Sequence, residues 1–417
     1  MRNWDDVEVR GAFPALALSD DGLPRLYADA PGGTQVAGRA LERMRQAMVD
    51  QCANEAGVFL TSRRTSQWMT TAHEAAAEFV GADHDEVVFG LNTTSLLFHF
   101  SRMLAREWQT GDEIVLSRMD HDANVGPWLI AAEERGVTVR WLDVDLDTFQ
   151  YRYDTLGDLI GPRTRLVACN HASNFLGTIN DVARIVAAAR AVGAVSVVDA
   201  VQSAPHFLLD VRAIDCDILV SSPYKYFGPH AGLLYVRREL SERLRPLKIR
   251  PAPASMPYRH APGTPSFEAQ LGTLGALEHL AWLGEQFGTP AGTGLRARIA
   301  AGLAAATQHE TGLAVRFLEG LSALPGIRLY GIANPAHVSG RVPTFSFSMA
   351  GKAPEAVAAI FGQRNIYVWD GNFYAYEISG LLGVRESGVV RIGFAHYNTL
   401  DEVDRILEIL DSVTRSR

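Results

Sequence analysis

The sequence is poor in cysteine, has no long apolar run and carries no excess of positive charge. Its 417 residues include three cysteines, Cys52, Cys169 and Cys216. No two stand in a CxxC or CxxxC spacing, so neither a zinc site nor a redox pair is indicated, and no metal is expected. An odd, low count fits a reducing compartment, and a cytoplasmic location is expected. No stretch of about 18 apolar residues occurs, so no membrane span is expected. The opening MRNWDDVEVR carries acids and a tryptophan where a secretory signal needs an apolar run. The formal net charge of −8 argues against nucleic-acid or acidic-membrane partners, which favour basic surfaces. Internal repeats and low-complexity tracts are also missing.

What is present is an ordinary core-forming mix, 47% hydrophobic and 21% charged. The length calls for one large and one smaller domain. The runs Glu113–Leu116, Val137–Leu142, Arg165–Asn170, Val195–Asp199 and Ile218–Ser222 are short, rich in β-branched residues and nearly free of polar interruption. They read as strands covered on both faces. Between them, Ser95–Trp108 and Asp181–Val192 read as helices, the second closed by Gly193. This alternation gives the α/β class with a mainly parallel sheet. The turn-rich GTPAGTG at 288–294 breaks the pattern. A long helix over Leu295–Leu324 follows, then strands at Val342–Met349 and Val389–Phe394 and a final helix over Leu400–Ser412. The expected division is a large domain over 25–290 and a smaller α+β domain from 1–24 and 291–417.

Five segments carry chemistry. In SSPYKYFGPH, Lys225 follows an apolar strand and precedes Gly228-Pro229. A buried ammonium is costly unless paired or converted, and a lysine Schiff base on an aldehyde cofactor is such a conversion. Taken alone, a lysine at a strand end is a solvated residue. In VVDAVQSAPH, Asp199 ends a strand; a carboxylate there can pair with the pyridine nitrogen of pyridoxal 5′-phosphate (PLP). Its plain alternative is a helix N-cap. Gln202 stands three residues on and can reach the cofactor's phenolic oxygen. Thr93, Thr94 and Ser95 sit at a helix start, where N–H groups and hydroxyls suit a phosphate. His121 can stack on a pyridine face, and Asn174 can bond the phenolic oxygen.

In order, these segments resemble the class V aminotransferase group, especially its cysteine desulfurase and selenocysteine lyase branch. The motifs are Thr93-Thr94, Asp120–Trp128, Ser173–Thr178, Val197–Gln202, Ser222–Lys225, Gly263–Pro265 and Val390–Thr399, and the likeness runs from about Leu26 to the C-terminus. The resemblance implies PLP fold type I with a seven-stranded sheet, and a homodimer with shared active sites. It implies Lys225 as Schiff-base lysine and Cα base, Asp199 on the pyridine nitrogen and His121 on the ring. Asn174 and Gln202 fall to the phenolic oxygen, and Thr94 and Ser222 to the phosphate. Thr264 reaches the neighbouring subunit's phosphate, and Arg391 clamps an amino-acid carboxylate, which its planar fork suits.

Two departures narrow the reading. Tyr224 precedes the lysine where desulfurases commonly have histidine; its hydroxyl can still bond a phosphate oxygen. The persulfide-forming branch has a pattern like RTGxHCA near the C-terminus. Here Val368–Ala375 reads VWDGNFYA, with Tyr374 in the cysteine's place and Trp369 in an arginine's. The three cysteines read as inert buried thiols, Cys52 within an N-terminal helix. The expected reaction is therefore β-elimination from a cysteine S-conjugate, a C–S lyase step without an enzyme persulfide, giving a thiol, pyruvate and ammonia. Asn372 and Tyr374 are placed to meet the β-substituent. Tyr374 is a candidate general acid, or it joins Trp369 and Phe373 in an apolar wall. Transamination, epimerisation or decarboxylating oxidative deamination starts from the same residues, and a silent PLP-fold partner subunit is the reading of another class.

Overall fold

The structure, a computed structural model, describes residues 2–415. Seven strands form the main sheet: β1 (Val87–Gly90), β2 (Glu113–Ser117), β3 (Thr138–Leu142), β4 (Thr164–Asn170), β5 (Val195–Asp199), β6 (Ile218–Ser221) and β7 (Gly232–Val236). Their order is β1-β7-β6-β5-β4-β2-β3. From β6 to β3 all neighbours are parallel, and β7 runs against both β6 and β1. This is the mainly parallel, seven-stranded sheet of PLP fold type I.

The apolar runs become central strands because successive side chains point to opposite faces and both faces are covered. Val115, Val167, Val198 and Leu219 pack into one layer. Ile114, Leu116, Leu166, Val197 and Val220 pack into the other. The five expected strands are all present within a residue or so. β1 and β7 escaped the reading: β1 has four residues, and β7 directly follows the turn-rich segment around Lys225.

A second, antiparallel sheet holds β8 (Ile327–Tyr330), β9 (Thr344–Met349), β10 (Trp369–Gly371) and β11 (Val389–Gly393) in the order β8-β9-β11-β10. The helices Leu295–Ser322 and Leu400–Arg415 cover it, and Phe317, Phe345, Phe347, Ile406 and Leu410 fill the space between. Residues 288–294 separate helix Phe267–Phe287 from helix Leu295–Ser322. These two helices touch backbone to backbone: a Cβ on Gly302 would stand 2.0 Å from the Leu280 carbonyl oxygen. The N-terminal segment reaches both sheets. Arg10 pairs with Glu402 at 2.8 Å, whereas Phe13 packs on Phe227 and His279 beside the main sheet.

Candidate active site

Side chains gather where β4, β5 and β6 end, the position at which open parallel sheets bind ligands. Asn170 and Asp199 are register partners at the ends of β4 and β5. A cavity there is lined by Thr93, Thr94, His121, Asn174, Asp199, Gln202, Ser222, Tyr224 and Lys225, together with Asn92, Ala123, Asn170, Ala172 and Val201. Nine of the residues named from sequence thus meet in one space.

Lys225 is 8% exposed, at the end of a short 3-10 turn after β6. Its Nζ donates to the carbonyl oxygens of Pro31 and Gly32, the latter at 3.0 Å. Burial, and next the Arg391 charge, bring its ammonium down to about 7, against the opposing pull of Asp199 and Asp29. Asp199 is 5% exposed, and burial pushes its carboxyl up to about 6 although Val201 N–H donates to Oδ1 at 2.8 Å. Burial also brings the His121 imidazole down to about 4, with Lys225 and Arg391 adding to the effect. The ring is therefore neutral at physiological pH, and its Nδ1 accepts from Ala123 N–H at 3.0 Å.

The helix Thr93–Leu104 points its N-terminus at the cavity. Asn92 caps it, accepting from Ser95 N–H at 2.8 Å. Thr93 Oγ1 donates to the Ser221 carbonyl at 2.8 Å, so its 2.6 Å contact with Ser222 uses the Ser222 proton. Thr93 thereby sets Ser222 in place. Gln202 Nε2 donates to Thr344 Oγ1 at 3.1 Å, and Asn174 Nδ2 to the Phe373 carbonyl at 2.9 Å. Gln202 Oε1 and Asn174 Oδ1 are left buried without a partner, as is Arg391 Nε. Unpartnered buried polar atoms are uncommon, and these three lie together: Asn174 and Gln202 line the cavity and Arg391 bonds the Asn174 carbonyl.

Arg391 lies on β11, 5% exposed, with Nη1 donating to the Asn174 carbonyl at 3.1 Å and its guanidinium 4.0 Å from the Phe373 ring centre. Burial lowers it to about 10, against the opposing charge of Asp29. Trp369 is its register partner on β10, is 56% exposed, and donates Nε1–H to Asp29 at 3.2 Å. Phe373 and Tyr374 hold φ of +55° and +56°, a left-handed pair that non-glycine residues seldom adopt. The pair is pinned from outside: Asp122 N–H donates to the Tyr374 carbonyl at 2.7 Å, and Asn372 Oδ1 accepts from Tyr374 N–H at 3.1 Å. The Tyr374 ring is 73% exposed and 5.5 Å from the His121 ring.

Some expected residues stand elsewhere. Thr264 lines a different cavity, with Tyr258 and Phe267. Asn372 spends its amide on its own loop and on the Arg385 carbonyl, and does not line the main cavity. Cys52 is exposed, in the irregular stretch after helix Gly38–Val49, which corrects the expectation of a buried helical thiol. Cys169 and Cys216 are buried, and burial pushes both thiols far up. Sequence reasoning also missed Asp29, Asn170 and the turn at Pro31–Gly33. Asn170 carried a usable signal, since it ends a strand beside Asp199. Asp29 carried only the glycine pair that follows it. A Cβ on Gly32 would stand 3.3 Å from Arg391 Nη2, so the turn packs closely against the guanidinium.

A helix N-terminus with hydroxyls, a buried carboxylate, an imidazole, a lysine lowered toward neutrality and unpartnered amide oxygens form a donor and acceptor set that fits PLP. The family model "Aminotransferase class-V" matches residues 26–406. The chain is 32% identical to aminotransferase-like protein FGM3 of Gibberella zeae, with 97% of each chain covered. It is 30% identical to a cysteine desulfurase of Pectobacterium carotovorum, over 98% of this chain and 97% of that one. Its fold superposes on a cysteine desulfurase from Thermococcus onnurineus with a TM-score of 0.87 and 26% identity, over 100% and 99% of the two chains. The cysteine desulfurase CsdA of Escherichia coli gives 0.83 and 26%, over 99% and 98%. The chain therefore belongs to the class-V aminotransferases, a family of PLP-dependent enzymes, and its cofactor is pyridoxal 5′-phosphate.

Proposed function

We propose that the protein is a C–S lyase that eliminates a thiol from a cysteine S-conjugate without forming an enzyme persulfide. One observation carries this reading: Tyr374, not a cysteine, is the loop residue beside the His121 ring, and among the described residues no cysteine lines the cavity. PLP, when bound, supplies the electron sink that stabilises charge at the substrate Cα. Lys225 would anchor it, Asp199 would face the pyridine nitrogen, and His121 would stack on the ring. The phosphate would lie against Thr94, Ser222 and Tyr224 at the helix N-terminus. Asn174 and Gln202 would stand along the phenolic side.

The chain's own steps follow from the geometry. Arg391, whose Nε has no partner, holds the substrate carboxylate and so orients the Cα–H bond. Lys225, lowered to about 7, takes the Cα proton as a neutral amine. Loss of the β-thiolate then requires a proton, which the Tyr374 hydroxyl would give in this reading. The exposed Trp369 and Tyr374 rings leave room for a substituent larger than that of free cysteine. A second copy of the chain completes the site in this reading, with Thr264 reaching its partner's phosphate.

The test is a screen of amino acids and cysteine S-conjugates that reads pyruvate, thiol, keto acid and carbon dioxide together. Pyruvate with thiol supports the lyase. An amino group passed to a keto acid with no thiol overturns it in favour of transamination.

A further inference from the structure

Beneath the cavity lies a buried polar chain that the steps above do not use. Tyr151 Oη is 2.6 Å from Asn170 Oδ1 and 2.7 Å from Ser117 Oγ, and Ser117 Oγ is hydrogen-bonded to Asp120 Oδ2. Asp120 Oδ1 accepts from Asn124 Nδ2 at 2.7 Å, and Asn124 Oδ1 accepts from Trp128 Nε1 at 3.1 Å. Tyr151, Asn170, Ser117, Asp120 and Asn124 are all buried.

Counting protons along this chain decides its chemistry. Three oxygen–oxygen contacts run in series, from Asn170 through Tyr151 and Ser117 to Asp120. Each needs one proton, and the two hydroxyls supply only two. Reversing the Asn170 amide does not help. Its Nδ2 already donates to the Met119 carbonyl at 3.0 Å, and its Oδ1 accepts from Asn180 Nδ2 at 2.9 Å. The third proton therefore sits on Asp120, and the chain runs one way: Asp120 donates to Ser117, Ser117 to Tyr151, and Tyr151 to Asn170.

We propose that Asp120 is a neutral, proton-donating positioning residue. It fixes Asn170 and the segment 117–121 that carries His121, and it leaves Asp199 as the ionised carboxylate under the cavity. The surroundings agree. Burial pushes the Asp120 carboxyl up to about 8, with the Asp199 charge adding to the rise. The titratable groups facing it are Asp199, Tyr151 and Cys169, none of them a cation. Asn124, which donates to Oδ1, opposes the rise without cancelling it.

The test compares the wild-type holoenzyme with Asp120→Asn and Asp120→Ala. The Asn amide keeps both the donor and the acceptor of a protonated carboxyl; Ala keeps neither. At pH 7 the infrared spectrum of the wild type is expected to show a protonated-carboxyl C=O band that Asp120→Asn lacks and that fades as pH rises through about 8. Affinity for PLP is expected to stay within about twofold in Asp120→Asn and to fall roughly tenfold or more in Asp120→Ala, where Ser117 loses its donor. Identical carboxyl bands in wild type and Asp120→Asn at pH 7, or equal damage from both variants, would overturn the proposal. Should Asp120→Ala fail to fold, the spectrum and the Asn variant decide. Failure of Asp120→Asn to fold counts against a neutral acid.

Discussion

Lys225 shows how a side chain changes meaning with its surroundings. By its position after a strand it is an ordinary lysine; buried near Arg391 and facing Asp199, it is brought down to about 7. Its lowered ammonium fixes a direction. The neutral amine that reacts with an aldehyde is in the majority only above about pH 7, so the rate of PLP uptake by apoenzyme is expected to rise from pH 6 to pH 8 with a midpoint near 7. Rapid-mixing absorbance at the chromophore band measures it, and a rate flat across that range contradicts the assignment. Lys225→Ala is expected to lose the visible lysine-linked band and about 10²–10⁴-fold of turnover. Arg391→Lys keeps the charge but loses the planar fork, so it is expected to raise KM for amino acids more than it lowers kcat.

At the scale of elements, much of the fold was legible because the physics there is local. Short β-branched runs such as Val195–Asp199 have one stable use in a sheet covered on both sides, and Gly193 ended its helix where expected, with φ of +74°. Val87–Gly90 and Gly232–Val236 depend on pairing with each other, a non-local fact that neither segment announces. The site divides in the same way. Asp199, Gln202 and Lys225 lie on adjacent strand ends and are legible from their own segments, whereas Ser222 enters only with the family resemblance. Asp29 enters because Leu26–Tyr27 pairs with Ile366–Tyr367 and Asp29 itself bridges Gly393, which brings that segment to Arg391 and Trp369. The loop 372–375 carries the clearest strain. Tyr374→Gly relieves one left-handed residue and is expected to leave stability unchanged or raise it by up to about 1 kcal/mol. The same change is expected to reduce elimination from conjugates with poor leaving groups. Thermal unfolding and turnover, measured side by side, check both halves, and a large loss of stability contradicts the strain argument.

For the whole molecule, burial of titratable groups sets the acid limit. His73 and His260 are brought down to about 4 and His279 to about 3, each chiefly by burial, and His396 lies well below its usual range. All four are buried. Their folded values are depressed, so the stability they contribute is complete above the unfolded value near 6.5 and is lost as pH falls toward 4. Asp29, Asp120 and Asp199, raised by burial, act in the opposite sense but are fewer. Stability is therefore expected to fall as pH drops from about 6.5 toward 4. Urea unfolding between pH 7 and 4.5 measures it. The close packing of helices Leu295–Ser322 and Phe267–Phe287 depends on the Gly302 contact, where Gly302→Ala forces them apart. The reaction itself is tested most directly by S-benzyl-L-cysteine turned over by the wild-type holoenzyme and by Cys52→Ser, which removes the one exposed thiol. Equal amounts of benzyl thiol and pyruvate from both proteins, with no keto acid aminated, is the predicted result. Amination of a keto acid without thiol release, or loss of turnover in Cys52→Ser, would contradict it.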